Sequence, residues 1–371
     1  MSSRNTFWVQ YRVEAADSDD ASLKAQQISI EQSVEMPPDV VPASSLKNIG
    51  QVHQLKQIND NDWLATIRFD ESLVDGDLTQ FINVIFGNIS LQPWCKLVDV
   101  ESEYLSKLLN GPSFGSKGIR DLSLVKNRAL SCGVIKPIGS SPDELAEMAL
   151  QFASGGIDII KDDHGLTDQK SAPFEYRAKK CIESVRKGEQ ISGKKTLYFS
   201  NITTSPTKIL ERYEKAFNLG ADGVLLAPQL VGLETLHHLA DFGELSIMTH
   251  PTFSGSYLVN KNGIDPALYF GKLIRAFGAD SIIYPNANGR FTFSTDVCKA
   301  INSTCQTPIK NMKPAFPSPG GGVQLHTISN LVKRYGNDII FLIGGSLYKH
   351  PDGLQFAAHE FQNALRNQYE K

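Results

Sequence analysis

Much of what the chain could be is removed by what it lacks. Its five cysteines, Cys95, Cys132, Cys181, Cys298 and Cys305, are odd in number, scattered and never in a CxxC spacing. A disulfide framework and a structural zinc site are therefore not expected, and a reduced cytoplasm fits best. No window approaches the length of a membrane span, and Met1 to Thr6 lacks the apolar run of a secretion signal. A soluble, cytoplasmic protein with no membrane partner is the expectation. Lys and Arg number 37 against 40 Asp and Glu, a formal net charge of -3. With no basic footprint, no nucleic-acid partner is expected.

What is present centres on Gly155-Gly156-Ile157-Asp158-Ile159-Ile160-Lys161-Asp162-Asp163-His164. A β-branched run after a glycine pair reads as a buried strand, and it ends in an ammonium, two carboxylates and an imidazole. Desolvating such a set is costly, so a bound cation or an anionic substrate is the natural compensation; the alternative is a solvated loop after an edge strand.

The 371 residues suffice for two domains, or for one large α/β barrel with an appendage. Phe7 to Val13 alternates as a half-buried strand, Asp17 to Asp20 can cap a helix through about Ile30, and Val52–Ile58 with Trp63–Phe69 read as a hairpin. A helix over Leu78–Phe86 and a strand over Cys95–Val100 complete a β-α-β-β-α-β order, that of an α+β ferredoxin-like domain. The Gly/Ser/Pro-rich stretch from Asn110 to Arg120 reads as a linker and as a candidate loop over a site. Domain limits of 1–125 and 126–371 follow.

Beyond it, apolar runs at Gly133–Ile135, Ile157–Ile160, Thr196–Phe199, Gly223–Leu226, Leu245–Met248, Ser281–Tyr284, Pro314–Phe316 and Ile339–Ile343 alternate with helical stretches. That beat predicts a (β/α)8 TIM barrel. A doubly wound sheet would want a glycine-rich dinucleotide loop after its first strand, and none follows. Barrel chemistry sits at the carboxyl ends of the strands. Those ends carry Lys136; Lys161, Asp163 and His164; Ser200 and Asn201; Thr249 and His250; Asn286, Asn288 and Arg290; Ser318 with Gly320-Gly321-Gly322; and Gly344-Gly345-Ser346.

The glycine runs, Gly321 and Gly322 after the seventh strand and Gly344 and Gly345 after the eighth, can aim backbone N–H groups at a phosphate. A protonated lysine cannot ligate a metal. Lys161 therefore either pairs with the neighbouring carboxylates or has become a carbamate, whose oxygens suit magnesium. Lys136 can serve as proton carrier or as partner of a phosphate or carboxylate. His250 reads as a substrate partner or proton relay, or as a satisfied polar residue. Arg290 is either a cation on a glycine-hinged loop or a surface arginine.

These residues together resemble the RuBisCO large-chain family, specifically its form IV RuBisCO-like proteins. Gly155 to Asp163 resembles the activator-lysine motif, Val134-Ile135-Lys136-Pro137 the strand of the catalytic lysine, Asn286 to Phe291 the sixth barrel loop, and the two glycine runs the phosphate loops. The resemblance implies Mg2+ on carbamylated Lys161 with Asp163, and a homodimer in which Glu31 and Asn88 reach the neighbouring subunit's site. The departures matter equally. His164 stands where carboxylases have a glutamate ligand, Ile138 replaces a second lysine, Pro251 an arginine, Ile283 a histidine and Arg290 the loop lysine. One phosphate pocket is kept and the other dismantled, so bisphosphate carboxylation is not expected. The resemblance implies instead enolisation of a phosphorylated ketose, with 5-methylthioribulose 1-phosphate isomerisation in sulfur salvage first. A decarboxylase or transcarboxylase of phosphorylated sugar acids, and a non-catalytic barrel that binds a phosphoryl ligand, are the alternatives.

Overall fold

The structure is a computed structural model describing residues 5–287, 289, 291 and 293–369. It divides into two compact units, Met1–Leu109 with Ser254–Tyr269, and Asn110–Phe253 with Phe270–Lys371.

In the first unit, strands β1 (Thr6–Glu14), β2 (Gln51–Gln57), β3 (Asp62–Asp70) and β4 (Cys95–Val100) form one sheet with helices Ser18–Glu31 and Leu78–Phe86, in the expected β-α-β-β-α-β order. β1 alternates strictly between buried and wetter positions, as a sheet with one covered face requires. Asp17 accepts from the backbone N–H groups of Asp19 and Asp20 and so starts the first helix. A two-residue strand, Gly263–Ile264, joins the sheet in parallel beside β4. Its two residues are too few to show a period.

The second unit is a closed parallel barrel of β5 (Leu130–Ile135), β6 (Ile159–Asp162), β7 (Leu197–Asn201), β8 (Gly223–Leu226) and β9 (Ser246–Thr249), continuing, after β10 (the Gly263–Ile264 strand), with β11 (Ser281–Pro285), β12 (Phe316–Gly320) and β13 (Ile340–Ile343). β13 pairs with β5 from Ile340↔Leu130 to Ile343↔Gly133, which closes the ring. Inward side chains such as Leu130, Cys132, Ile159, Phe199, Met248 and Ile340 fill the interior. Between β5 and β6, helix Pro142–Ser154 opens with Pro142 and a capping box of Ser141 and Glu144.

Two expectations are corrected. The 110–120 stretch is neither a plain linker nor a loop over the site: Gly115–Ser123 is helical, and Ile119 joins the barrel core at its amino-terminal end. Asp280, buried just before β11, accepts from the backbone N–H groups of Phe114 (2.8 Å) and Gly115 (2.7 Å) and latches that helix in place. The seventh barrel strand is Phe316–Gly320 rather than Pro314–Phe316. Pro317 and Pro319 lie within it, paired in register with Ile282 and Tyr284. Toward β13 the recorded register is Gly320↔Leu342 alone, so few ladder N–H groups are needed on that side.

Candidate active site

Strand alternation sorts the charged motif. Ile159 faces the barrel interior, so Lys161 and Asp163 share that face and Asp162 points out toward the helix layer. Asp162 is fully buried there. Its carboxylate accepts from Arg177 at 3.1 and 3.3 Å, from the Tyr198 hydroxyl at 2.7 Å and from the Asn201 backbone N–H at 2.9 Å. Burial, then the Asp162 charge, pushes the Tyr198 phenol well above its ordinary pKa and keeps it a donor. Arg177 also donates to the carbonyls of Leu166, Thr167 and Ala172, while the Asn201 amide donates to those of His164 and Leu166. The loop carrying Asp163 and His164 thus hangs from a buried ionic network.

Inside the barrel, Lys161 is buried, with Nζ donating to the Asp162 carbonyl at 3.0 Å. Burial lowers its pKa, and the like charge of Lys136 adds to the lowering against the pull of Cys132, Asp163 and Asp162. This favours the neutral amine, the form that reacts with carbon dioxide. Burial would raise the Asp163 carboxyl, yet the His164 contact, the Lys161 charge and the Gly165 N–H together hold it well below the usual carboxylate range. His164 Nδ1 lies 3.1 Å from Asp163 Oδ1, which also accepts from Gly165 N–H at 3.1 Å. The neutral ring then carries its lone pair on Nε2.

The His164 ring stacks on His250, centroids 4.1 Å apart and planes 8° apart. Burial, then the charges of Lys161 and His164, pushes His250 well below its ordinary pKa. Its Nδ1 accepts from Thr252 N–H at 3.2 Å, so the neutral ring presents an Nε2–H donor. Lys136 ends β5 with Nζ 3.4 Å from where a Cβ on Gly344 would stand. The Gly344-Gly345 turn thus lies beside the Lys136 side-chain nitrogen. Gly321 and Gly322 have φ of +96° and +70°, a conformation that favours glycine. Asn286 pins that turn, donating to the Gly321 carbonyl at 3.0 Å while its Oδ1 accepts from Tyr335 at 2.8 Å.

The structure therefore brings Lys161, Asp163, His164 and His250 together, and sets Lys136 against the Gly344 turn. Glu31 and Asn88 meet in the first unit, the Asn88 amide donating to Glu31 Oε1 at 3.0 Å. Arg290 and Asn288 lie outside the described residues. Reasoning from sequence missed Arg177, Tyr198 and Tyr335. Arg177 left a signal, being a charged residue within the buried stripe Phe174, Ala178, Cys181 and Ile182 of helix Phe174–Ser192.

A hard cation asks for oxygen donors. Among the described residues no group of three His, Cys, Asp or Glu is placed to hold a metal, so a site here needs Lys161 as its carbamate. As its carbamate, Lys161 would supply oxygens on the same face as the Asp163 carboxylate. His164 Nε2 is the poorer third donor for magnesium. The residues fit the ion with two oxygen ligands and one nitrogen candidate.

Comparison with known proteins identifies the family. The family described as ribulose bisphosphate carboxylase large chain, catalytic domain, matches residues 118–370. The 5-methylthioribulose-1-phosphate isomerase of Rhodospirillum rubrum is 34% identical over 349 residues, 93% of this chain and 92% of that protein. A 2,3-diketo-5-methylthiopentyl-1-phosphate enolase of Bacillus velezensis is 32% identical over 352 residues, 91% and 86% of the two chains. The crystal structure of a Rubisco-like protein from Rhodopseudomonas palustris matches with a TM-score of 0.90 at 32% identity, covering 100% of this chain and 99% of that one. The chain belongs to the ribulose bisphosphate carboxylase large-chain family, among its RuBisCO-like members.

Proposed function

We propose that this chain is a magnesium-dependent enzyme that enolises a phosphorylated ketose, acting as a 5-methylthioribulose-1-phosphate isomerase in methylthioadenosine salvage and not as a ribulose bisphosphate carboxylase. The observation that carries the reading is Lys161, a buried amine with a lowered pKa sharing an interior face with ionised Asp163. A purely binding barrel has no need of that pair. A magnesium ion held by carbamylated Lys161 and Asp163 supplies Lewis-acid polarisation of a carbonyl. The chain's own residues do the rest. The backbone N–H groups of Gly321, Gly322, Gly344 and Gly345 seat one phosphate, and His250 Nε2–H donates to a substrate oxygen. Lys136 takes the proton from the carbon beside the carbonyl and returns one at the product position, so no atom is gained or lost. Ile138, packed over Gly165 beside Asp163, offers the thioether end an apolar wall where the family's carboxylases, by resemblance, carry a second lysine. The working unit in this proposal is a cytoplasmic homodimer, each Glu31–Asn88 pair completing its partner's site.

The names of the relatives favour a second reading on the same chemistry, the diketo-phosphate enolase. Proton NMR in deuterium oxide tests both. Protein, magnesium and bicarbonate are incubated with 5-methylthioribulose 1-phosphate and, separately, with the 2,3-diketo phosphate, against a Lys161→Ala control. Exchange of a carbinol proton in the first, absent in the control, supports the isomerase. Turnover of the second alone moves the assignment to the enolase, and no exchange in either removes both.

A further inference from the structure

At the amino-terminal face of the barrel, opposite the ends that carry Lys136 and Lys161, the chain forms a cavity of about 540 Å³ between the segments that lead into β5, β6 and β7 and the end of helix Leu354–Arg366. Its charge is one-sided, with Lys126, Arg128, Lys194, Lys195 and Arg366 in the wall against Asp158 alone. Asp158 is held chiefly by Arg128 and Ser131. Both its oxygens accept from the Arg128 guanidinium at 2.7 Å, and one also accepts from the backbone N–H and hydroxyl of Ser131. Two of the remaining cations are also committed. Lys126 is paired with Asp121, and Lys195 with Glu189 at 3.1 Å and Asp222 at 3.4 Å.

That leaves Lys194 and Arg366, which have no carboxylate within salt-bridge distance among the described residues. Lys194 is only half-exposed. Its stem runs against Gly156, where an added Cβ would stand 3.2 Å from Cδ and 3.4 Å from Nζ. Partial burial, then the Arg366 charge, depresses its pKa, with Asp158 opposing the shift and Arg128 adding to it. Like charges gathered in a concavity repel one another, and an anion relieves both the repulsion and the lost hydration. Leu124, 71% exposed, and the half-buried Tyr369 ring supply an apolar side to the same cavity, which is of the size that takes small metabolites.

We infer that this cavity is a second anion site, in which Lys194 and Arg366 hold the phosphate of a small phosphorylated molecule while Leu124 and Tyr369 cover its organic part. The site is independent of the proposed reaction and shares no residue with it.

The test is lysine footprinting on the full chain. Lys194 is acylated with an amine-reactive reagent in low salt and its modification followed by peptide mass spectrometry, without addition, with inorganic phosphate and with AMP. Protection of Lys194 by AMP, and more weakly by phosphate, is expected, whereas solvent-exposed Lys170 labels at the same rate throughout. Equal protection by the two assigns the site to free phosphate. The double variant Lys194→Gln/Arg366→Gln should bind AMP at this site about tenfold more weakly or worse, the loss of charge-assisted hydrogen bonds; Lys194→Arg should retain binding, read by isothermal titration. Unchanged labelling of Lys194 with both ligands overturns the inference, as does a double variant with wild-type affinity and stoichiometry. The readout sits on Lys194, so phosphate bound at the glycine loops does not confuse it, and failure here leaves the proposed isomerase untouched.

Discussion

Replacing Arg177 with methionine isolates what holds the site loop in place. The substitution keeps the length of the side chain and removes its charge, leaving Asp162 without its counter-ion and with no exposure to water. Of its four recorded bonds, those from the Tyr198 hydroxyl and the Asn201 N–H remain. The carbonyls of Leu166, Thr167 and Ala172 lose a donor at the same time. Breaking one side of a buried ion pair costs about 3–5 kcal/mol. In a chain of this size that lowers the melting temperature by roughly 6–10 °C, at about 2 °C per kcal/mol. Circular dichroism melts and urea titrations of parent, Arg177→Met, Asp162→Leu and the double variant give the answer as a cycle. In the double variant no charge is stranded, so the two losses should fall short of adding by about 2–3 kcal/mol. An Arg177→Met protein within about 1 kcal/mol of its parent, or strictly additive losses, would refute the reasoning.

Asp280 sets a pH dependence of a different kind. Burial pushes its carboxyl up to about 6 although three backbone N–H groups oppose the shift, against about 3.9 in the unfolded chain. The folded chain therefore holds this proton more tightly, and the contribution of Asp280 to stability is greatest below pH about 4, falls by about 3 kcal/mol as pH rises to about 6, and levels off above; Asp280→Asn should remove that component of the denaturation profile relative to the parent. Changing His164→Glu replaces a nitrogen with the oxygen donor magnesium prefers, and calorimetric titration in bicarbonate buffer should show magnesium binding about tenfold tighter, a gain of about 1.4 kcal/mol; unchanged affinity would place residue 164 outside the metal shell. If Asn88 completes the partner's site, inactive Lys161→Ala and inactive Asn88→Ala chains should recover activity on co-refolding, because each mixed dimer contains one intact site. No recovery, with mixed dimers confirmed by native mass spectrometry, would confine the site to one subunit.

The parts of this molecule that were legible in its sequence are those governed by short periods. Alternation over Ile157–Ile160, carried forward, puts Lys161 and Asp163 on one face, and the beat of apolar runs places both at a strand end where barrels do chemistry. The same alternation sends Asp162 to the opposite face, but its consequence depends on Arg177, 15 residues on, and on Tyr198, 36 residues on, both in other elements. No local pattern couples them. The Asn286–Tyr335 bond that pins the Gly321 turn spans 49 residues and is equally invisible. Composition misled at Gly115–Ser123, where glycine and serine suggest a loop, because the helix is stabilised by Asp280 accepting from its first N–H groups and by Ile119 entering the core. The division has a physical cause. The groups proposed to meet substrate stand at strand ends, where chain position alone marks them. The groups that hold those positions rigid are buried and pair across the fold, and their cost is compensated only in three dimensions. A charged residue inside an apolar helical stripe, as at Arg177, marks such a pairing before its partner is known. Arg177 sits where a leucine would do for packing alone, so its presence already implies a buried acceptor on the facing strand, which the barrel supplies as Asp162.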